Sequence, residues 1–157
     1  MKITLLAIGK TGTKYLQEGI EQYTKRIGHY VPFEFKILSD VKTTKSLTVD
    51  KQKTMEGDIF MSSIMPGDVV VLLDERGKEM TSREFAGYLD RKMVTVARNL
   101  VFIIGGPYGF SKEVYDRANE KLSLSKMTFS HEMVRLFFTE QIYRAMTILK
   151  GEPYHHD

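Results

Sequence analysis

The residues best placed to do chemistry stand where apolar runs end. Leu100-Val101-Phe102-Ile103-Ile104 passes straight into Gly105-Gly106-Pro107-Tyr108-Gly109. Glycine permits positive φ and puts no Cβ between backbone and ligand. Two readings stay open: a plain turn from strand to helix, or a loop on which a ligand lies against bare backbone. The spacing fits neither G-x-G-x-x-G nor the Walker pattern, so a dinucleotide or nucleoside triphosphate is not indicated. A second run, Val69–Leu73, stops at Asp74, which could accept a ligand hydrogen bond or form a turn ahead of Arg76-Gly77. His131 and Arg135, four apart, share a helix face, as a phosphate-binding pair or simply a solvated surface. Arg144 falls on the opposite side and pairs most simply with Glu140. The tail Glu152-Pro153-Tyr154-His155-His156-Asp157 is either loose or folds back into a site. A tyrosine ring can stack on a base, and an imidazole can hold a phosphate or move a proton.

Composition narrows the chemistry. The chain has 157 residues and no cysteine, so disulfides, thiolate catalysis and Cys-zinc sites are excluded. That usage suits a reducing cytoplasm. Four histidines, two of them adjacent, make a metal site an unattractive reading. No apolar run approaches a membrane span, and the N-terminus reads as a first strand. The net charge of +3 is spread along the chain with no basic block, so charge alone does not argue for nucleic acid. Lys10, Lys14, Lys25 and Arg26 flank the first helix and could meet phosphate, although a solvated helix face accounts for each.

The elements that must position these groups follow from periodicity. Ile3–Ile8, Val69–Leu73 and Leu100–Ile104 are apolar throughout, as strands covered on both faces are. Phe33, Phe35 and Ile37 alternate with Glu34, Lys36 and Leu38, a strand with one face partly exposed. Residues 39–50 are polar and read as a mobile loop. Helices are expected over 13–28, 51–64, 82–97, 112–119 and 131–150. A capping box at Thr81 or Ser82 opens the third, and Gly151 and Pro153 end the last. Strands alternate with helices, so the fold class is α/β, a mainly parallel sheet flanked by helices in one domain, 1–157. Ligands of such sheets bind beyond the carboxyl ends of the strands. Three segments lie there: 73–75, 105–109 and 123–129.

Over nearly its whole length the chain resembles the ribosomal RNA large subunit methyltransferase H family of the SPOUT superfamily. The resemblance rests on MKITLLAIGK at the start, IIGGPYG at 103–109 and LSLSKMTFSHEMVRLFFTEQIYRAMTILKGEPYH at 122–155. It implies a SPOUT-type fold with a C-terminal trefoil knot, against the general rule that chains do not knot. It also implies a homodimer that uses S-adenosyl-L-methionine to methylate N3 of a pseudouridine in 23S rRNA of the assembled ribosome, with no membrane or metal involved.

Carried over by position, the resemblance places cofactor binding on Leu73, Gly105 and the loop Leu124-Ser125-Lys126-Met127-Thr128-Phe129. It brings Tyr154 and His155 to the target base. His155, or a water, would take the N3 proton, with Tyr154 and Arg144 positioning the base or its phosphate. The ending His156-Asp157 departs from the family's cationic Tyr-His-Arg or Tyr-His-Lys. Two other functions compete: a small-ligand α/β enzyme using the glycine loop for a phosphorylated metabolite, and a non-enzymatic ribosome-associated module.

Overall fold

The computed structural model describes residues 1–42 and 46–157. Its order is β1 (Lys2–Ile8), α1 (Lys14–Ile27), β2 (Phe33–Leu38), α2 (Val49–Ser63), β3 (Val69–Glu79), α3 (Ser82–Thr95), β4 (Asn99–Ile104), α4 (Lys112–Arg117), β5 (Glu120–Ser123) and α5 (Met133–Leu149). The five strands form one parallel sheet in the order β2-β1-β4-β3-β5. The α/β class expected from the alternation is therefore the class observed. Of the polar segment 39–50, residues 43–45 lie outside the described residues, and Val49 and Asp50 already belong to α2. None of the described helices is long and apolar enough to cross a membrane.

The continuous apolar strands have the expected cause, since each feeds two cores. Leu5, Val71 and Phe102 face α1, α3 and α5, where Phe85, Phe138 and Ile142 meet them. Leu6, Leu72, Val101 and Ile103 face α2 and α4, against Phe60 and Val114. β2 lies at the sheet's edge: Phe33 and Phe35 pack on the first core, while Ile37, two residues on, is 42% exposed and Leu38 is buried in the second, so the alternation holds only for the first part of the strand. The third helix opens at Thr81: its hydroxyl accepts from the Glu84 N–H at 3.1 Å, while the Glu84 carboxylate accepts from the Thr81 N–H at 2.7 Å.

One strand departs from expectation. β3 does not stop at Asp74 but continues to Glu79. The ladder leaves β5 at Leu73 and rejoins it at Lys78, both opposite Leu122, so residues 74–77 arch out of the sheet. Gly77 makes the return possible: a Cβ there would lie 2.5 Å from the Leu122 backbone nitrogen.

Register decides which strand ends meet. Leu73 pairs with Ile104 on one side and Leu122 on the other. The three candidate segments, distant in sequence, therefore come off neighbouring strands at one level.

Candidate active site

A cleft of about 630 Å³ opens at the carboxyl ends of β3, β4 and β5, a size typical of sites for small organic ligands. Leu73, Ile104, Leu122, Leu124 and Val134 give it apolar wall, and Gly105, Gly106 and Gly109 bring bare backbone to it beside the Pro107 and Tyr108 side chains. Of the residues expected to bind cofactor, Leu73, Gly105, Leu124, Ser125, Met127, Thr128 and Phe129 all line it. Lys126 is exposed and is not part of the lining. The 124–129 loop is fixed by its own serines. The Ser123 hydroxyl donates to the Ser125 carbonyl at 3.1 Å, and the Ser125 hydroxyl accepts from the Met127 N–H at 3.0 Å. The Phe129 ring rests 5.2 Å from Phe137 on α5.

Close packing, more than unusual φ, accounts for the glycines. Only Gly109 in this loop has positive φ, at 81°. A Cβ on Gly105 would sit 3.0 Å from the Phe110 ring, and one on Gly106 would sit 2.4 Å from the Glu56 carboxylate. Glu56, from α2, is 5% exposed beneath the loop, and its Oε1 has no hydrogen-bond partner. Burial, reinforced by Asp40 and only partly opposed by a hydrogen bond with Gln52, pushes its carboxyl above the usual range.

Asp74 stands at the cleft's edge in a small polar network. Its Oδ1 accepts from the Arg76 N–H at 2.8 Å, and its Oδ2 accepts from the Tyr115 hydroxyl. The Arg76 guanidinium also donates to Tyr115 at 3.1 Å. Burial works against the Asp74 charge, but Tyr115, the Arg76 N–H and the Arg76 and Lys121 charges outweigh it and hold the carboxyl below its usual range. Asp74 is thus both a turn-forming residue and part of the cleft lining. Lys53, Arg76 and His131 bring basic groups to the rim. Sequence reasoning missed Glu56 and Tyr115. Both lie on helices whose pattern carries no signal that they meet strand ends in space.

His131 and Arg135 do not form a pair. Arg135 is 1% exposed, and its guanidinium donates to the carbonyls of Ile8 at 2.9 Å, Gly9 at 2.7 Å and His131 at 3.1 Å, and to the Thr11 hydroxyl at 3.0 Å. It closes the carboxyl end of β1, where unpaired carbonyls would otherwise be left, while His131 stays at the exposed mouth of the cleft.

The tail is fastened, but away from the cleft. Tyr30 donates to both Glu152 oxygens at 2.9 and 2.8 Å, and burial together with that carboxylate pushes its phenol up to about 12. Glu140 accepts from the Tyr154 hydroxyl at 2.9 Å and from Arg144 at 2.6 Å, the ion pair expected at that spacing. The Arg144 guanidinium lies 4.8 Å from the Tyr154 ring centre and 3.1 Å from Nδ1 of His155. Arg144, Tyr154 and His155 are therefore brought together, and none of the three lines the cleft. A neighbouring hollow of about 290 Å³, walled by Phe85, Phe137 and Glu140, shares Leu122, Ser123, Leu124 and Phe129 with it.

Comparison with known proteins gives a consistent picture. The family described as "Predicted SPOUT methyltransferase" matches residues 1–155. A ribosomal RNA large subunit methyltransferase H from Parabacteroides distasonis is 57% identical over 157 residues, covering 100% of both chains. Proteins of the same name from Bacteroides thetaiotaomicron and Porphyromonas gingivalis W83 are 56% and 51% identical, again over 100% of both chains. Among solved structures, a probable methylase family protein from Haemophilus influenzae is similar with a TM-score of 0.54 at 12% identity, over 99% of this chain and 70% of that one. A probable methyltransferase from Bordetella pertussis also gives 0.54, at 10% identity over 92% and 93%. The structural likenesses speak for the fold alone.

Proposed function

The chain belongs to the SPOUT methyltransferase family, and on that premise we propose that it methylates N3 of a pseudouridine in 23S rRNA of the assembled ribosome, using S-adenosyl-L-methionine. The observation that carries the reading is the meeting of Leu73, Gly105 and the 124–129 loop around one cleft of about 630 Å³.

The residues there fit that cofactor. Leu73 and Leu124 offer apolar surface to an adenine. The 124–129 backbone offers amides to its edge, and Gly105 leaves backbone open along the floor. When bound, the cofactor supplies an electrophilic methyl group on a sulfonium sulfur. The chain's own task is to hold N3 in line with that methyl and to remove its proton, and orientation alone can supply several kcal/mol of the barrier reduction. His155 takes the proton, while Tyr154 and Arg144 position the base or its phosphate. These three stand apart from the cleft of their own chain, which favours a homodimer whose tail serves the cleft of the second copy. Lys53, Arg76 and His131 at the rim suit a polyanionic substrate. The proposal includes the C-terminal trefoil knot, and places the enzyme with ribosomes in the cytoplasm.

Calorimetric titration with S-adenosyl-L-methionine, followed by methyl incorporation into ribosomes lacking the modification, tests the reading. Saturable binding and incorporation at N3 are expected. A folded protein that binds ribosomes without incorporating methyl would instead support the non-enzymatic module. Binding of phosphorylated metabolites in place of the cofactor would favour the small-ligand enzyme.

A further inference from the structure

Asp157 has no part in the reaction as described, yet it closes a chain of contacts on His155. Nε of Arg83, on α3, donates to both Asp157 carboxylate oxygens at 2.7 Å. Oδ1 of the same carboxylate lies 3.0 Å from Nε2 of His155. On the ring's other edge, Nδ1 lies 3.1 Å from Nη1 of Arg144. A guanidinium only donates, so Nδ1 accepts. The hydrogen of the neutral ring is then on Nε2, where it donates to Asp157. Arg83 first, and His155 second, hold the Asp157 carboxyl below its usual range, so it remains an acceptor. The ring itself is 16% exposed, held between two charged partners.

We propose that Asp157, anchored by Arg83, is a positioning residue that holds His155 as its Nε2–H tautomer and makes Nδ1 the nitrogen that receives the N3 proton. This rests on His155 being the base. In the step, the N3–H bond breaks and an Nδ1–H bond forms. The N3 electron pair bonds to the methyl carbon of the sulfonium donor, and the carbon–sulfur pair leaves with sulfur. The imidazolium so formed keeps its Nε2–H on the Asp157 carboxylate, which meets the new charge. Arg144 must first release Nδ1. Its other terminal nitrogen stays on Glu140 at 2.6 Å, so the guanidinium can swing without losing its anchor. The same logic governs carboxylate–imidazole pairs in other enzymes, where the carboxylate fixes the tautomer and is not itself protonated.

Nitrogen-resolved NMR of the full chain, with His155→Gln to assign the signal, reads the tautomer without any need for activity. The neutral ring is expected as Nε2–H, with that proton deshielded by the carboxylate and shifted upfield in Asp157→Ala. In methyl transfer to ribosomes lacking the modification, Asp157→Ala should lower kcat about tenfold while KM for ribosomes changes less than about twofold. Asp157→Glu should recover most of the rate. A parent ring found as Nδ1–H overturns the proposal. So does an Asp157→Ala enzyme with unchanged kcat when His155→Ala is inactive, and in that case the base assignment survives. A fully active His155→Ala enzyme removes both.

Discussion

Replacing Arg135 with methionine tests the most consequential difference between the sequence reading and the structure. Methionine keeps much of the buried volume but removes every donor. Besides the nearby His131 carbonyl, the guanidinium serves three acceptors at the end of β1: the Ile8 and Gly9 carbonyls and the Thr11 hydroxyl. Leaving a buried acceptor unsatisfied costs about 1–3 kcal/mol. Taking the low end for each gives about 3 kcal/mol. Part is returned, because burial disfavours the Arg135 charge and depresses its pKa despite the help of Glu132 and Asp40. A net loss of about 2 kcal/mol is expected in urea unfolding, with a fall of about 4–8 °C in Tm for a domain of this size. Arg135→Lys keeps the charge without the planar fork and should recover less than half of the loss. A loss under about 0.5 kcal/mol would mean that water serves those oxygens as well as the guanidinium does, and the account of Arg135 as a closing group would fail.

Gly106→Ala drives a Cβ to within 2.4 Å of the Glu56 carboxylate; a destabilisation of about 1–3 kcal/mol in urea unfolding and weaker cofactor binding by calorimetry are expected. Glu56 ionises with more difficulty in the folded chain than in the unfolded one. Its contribution to stability is therefore full below its unfolded pKa and is lost as pH rises through its raised folded value. Glu56→Gln should flatten that fall, and urea midpoints measured across pH 4–8 on both proteins check it. Neutralising Lys10, Lys14 and Lys25 to glutamine together should reduce the slope of log binding constant against log salt for ribosomes by about 2–3 if each meets a phosphate. An unchanged slope would leave them as a solvated helix face.

The sequence by itself determined the alternation of strands and helices, the double burial of β1, β3 and β4, a capping box at Thr81 or Ser82, which the structure places at Thr81, and the Glu140–Arg144 pair. Each is a local matter: periodicity reports which faces are covered, and capping and i, i+4 pairing need only neighbours along the chain. The resemblance added residues 73, 105 and 124–129 as a group, and the register of β3 between β4 and β5 is what gathers them. No local pattern could yield the order β2-β1-β4-β3-β5, because strand order is settled by which faces the helices cover after collapse. For the same reason Arg135 looked like a surface cation. A charge four residues from a histidine reads as a solvated face until the open carbonyls at the end of β1 are seen beside it. Glu56 under Gly106, Gly77 against the Leu122 backbone and Asp157 on Arg83 are likewise contacts between segments far apart in sequence. Packing distance decided them, and packing distance exists only once the chain has folded.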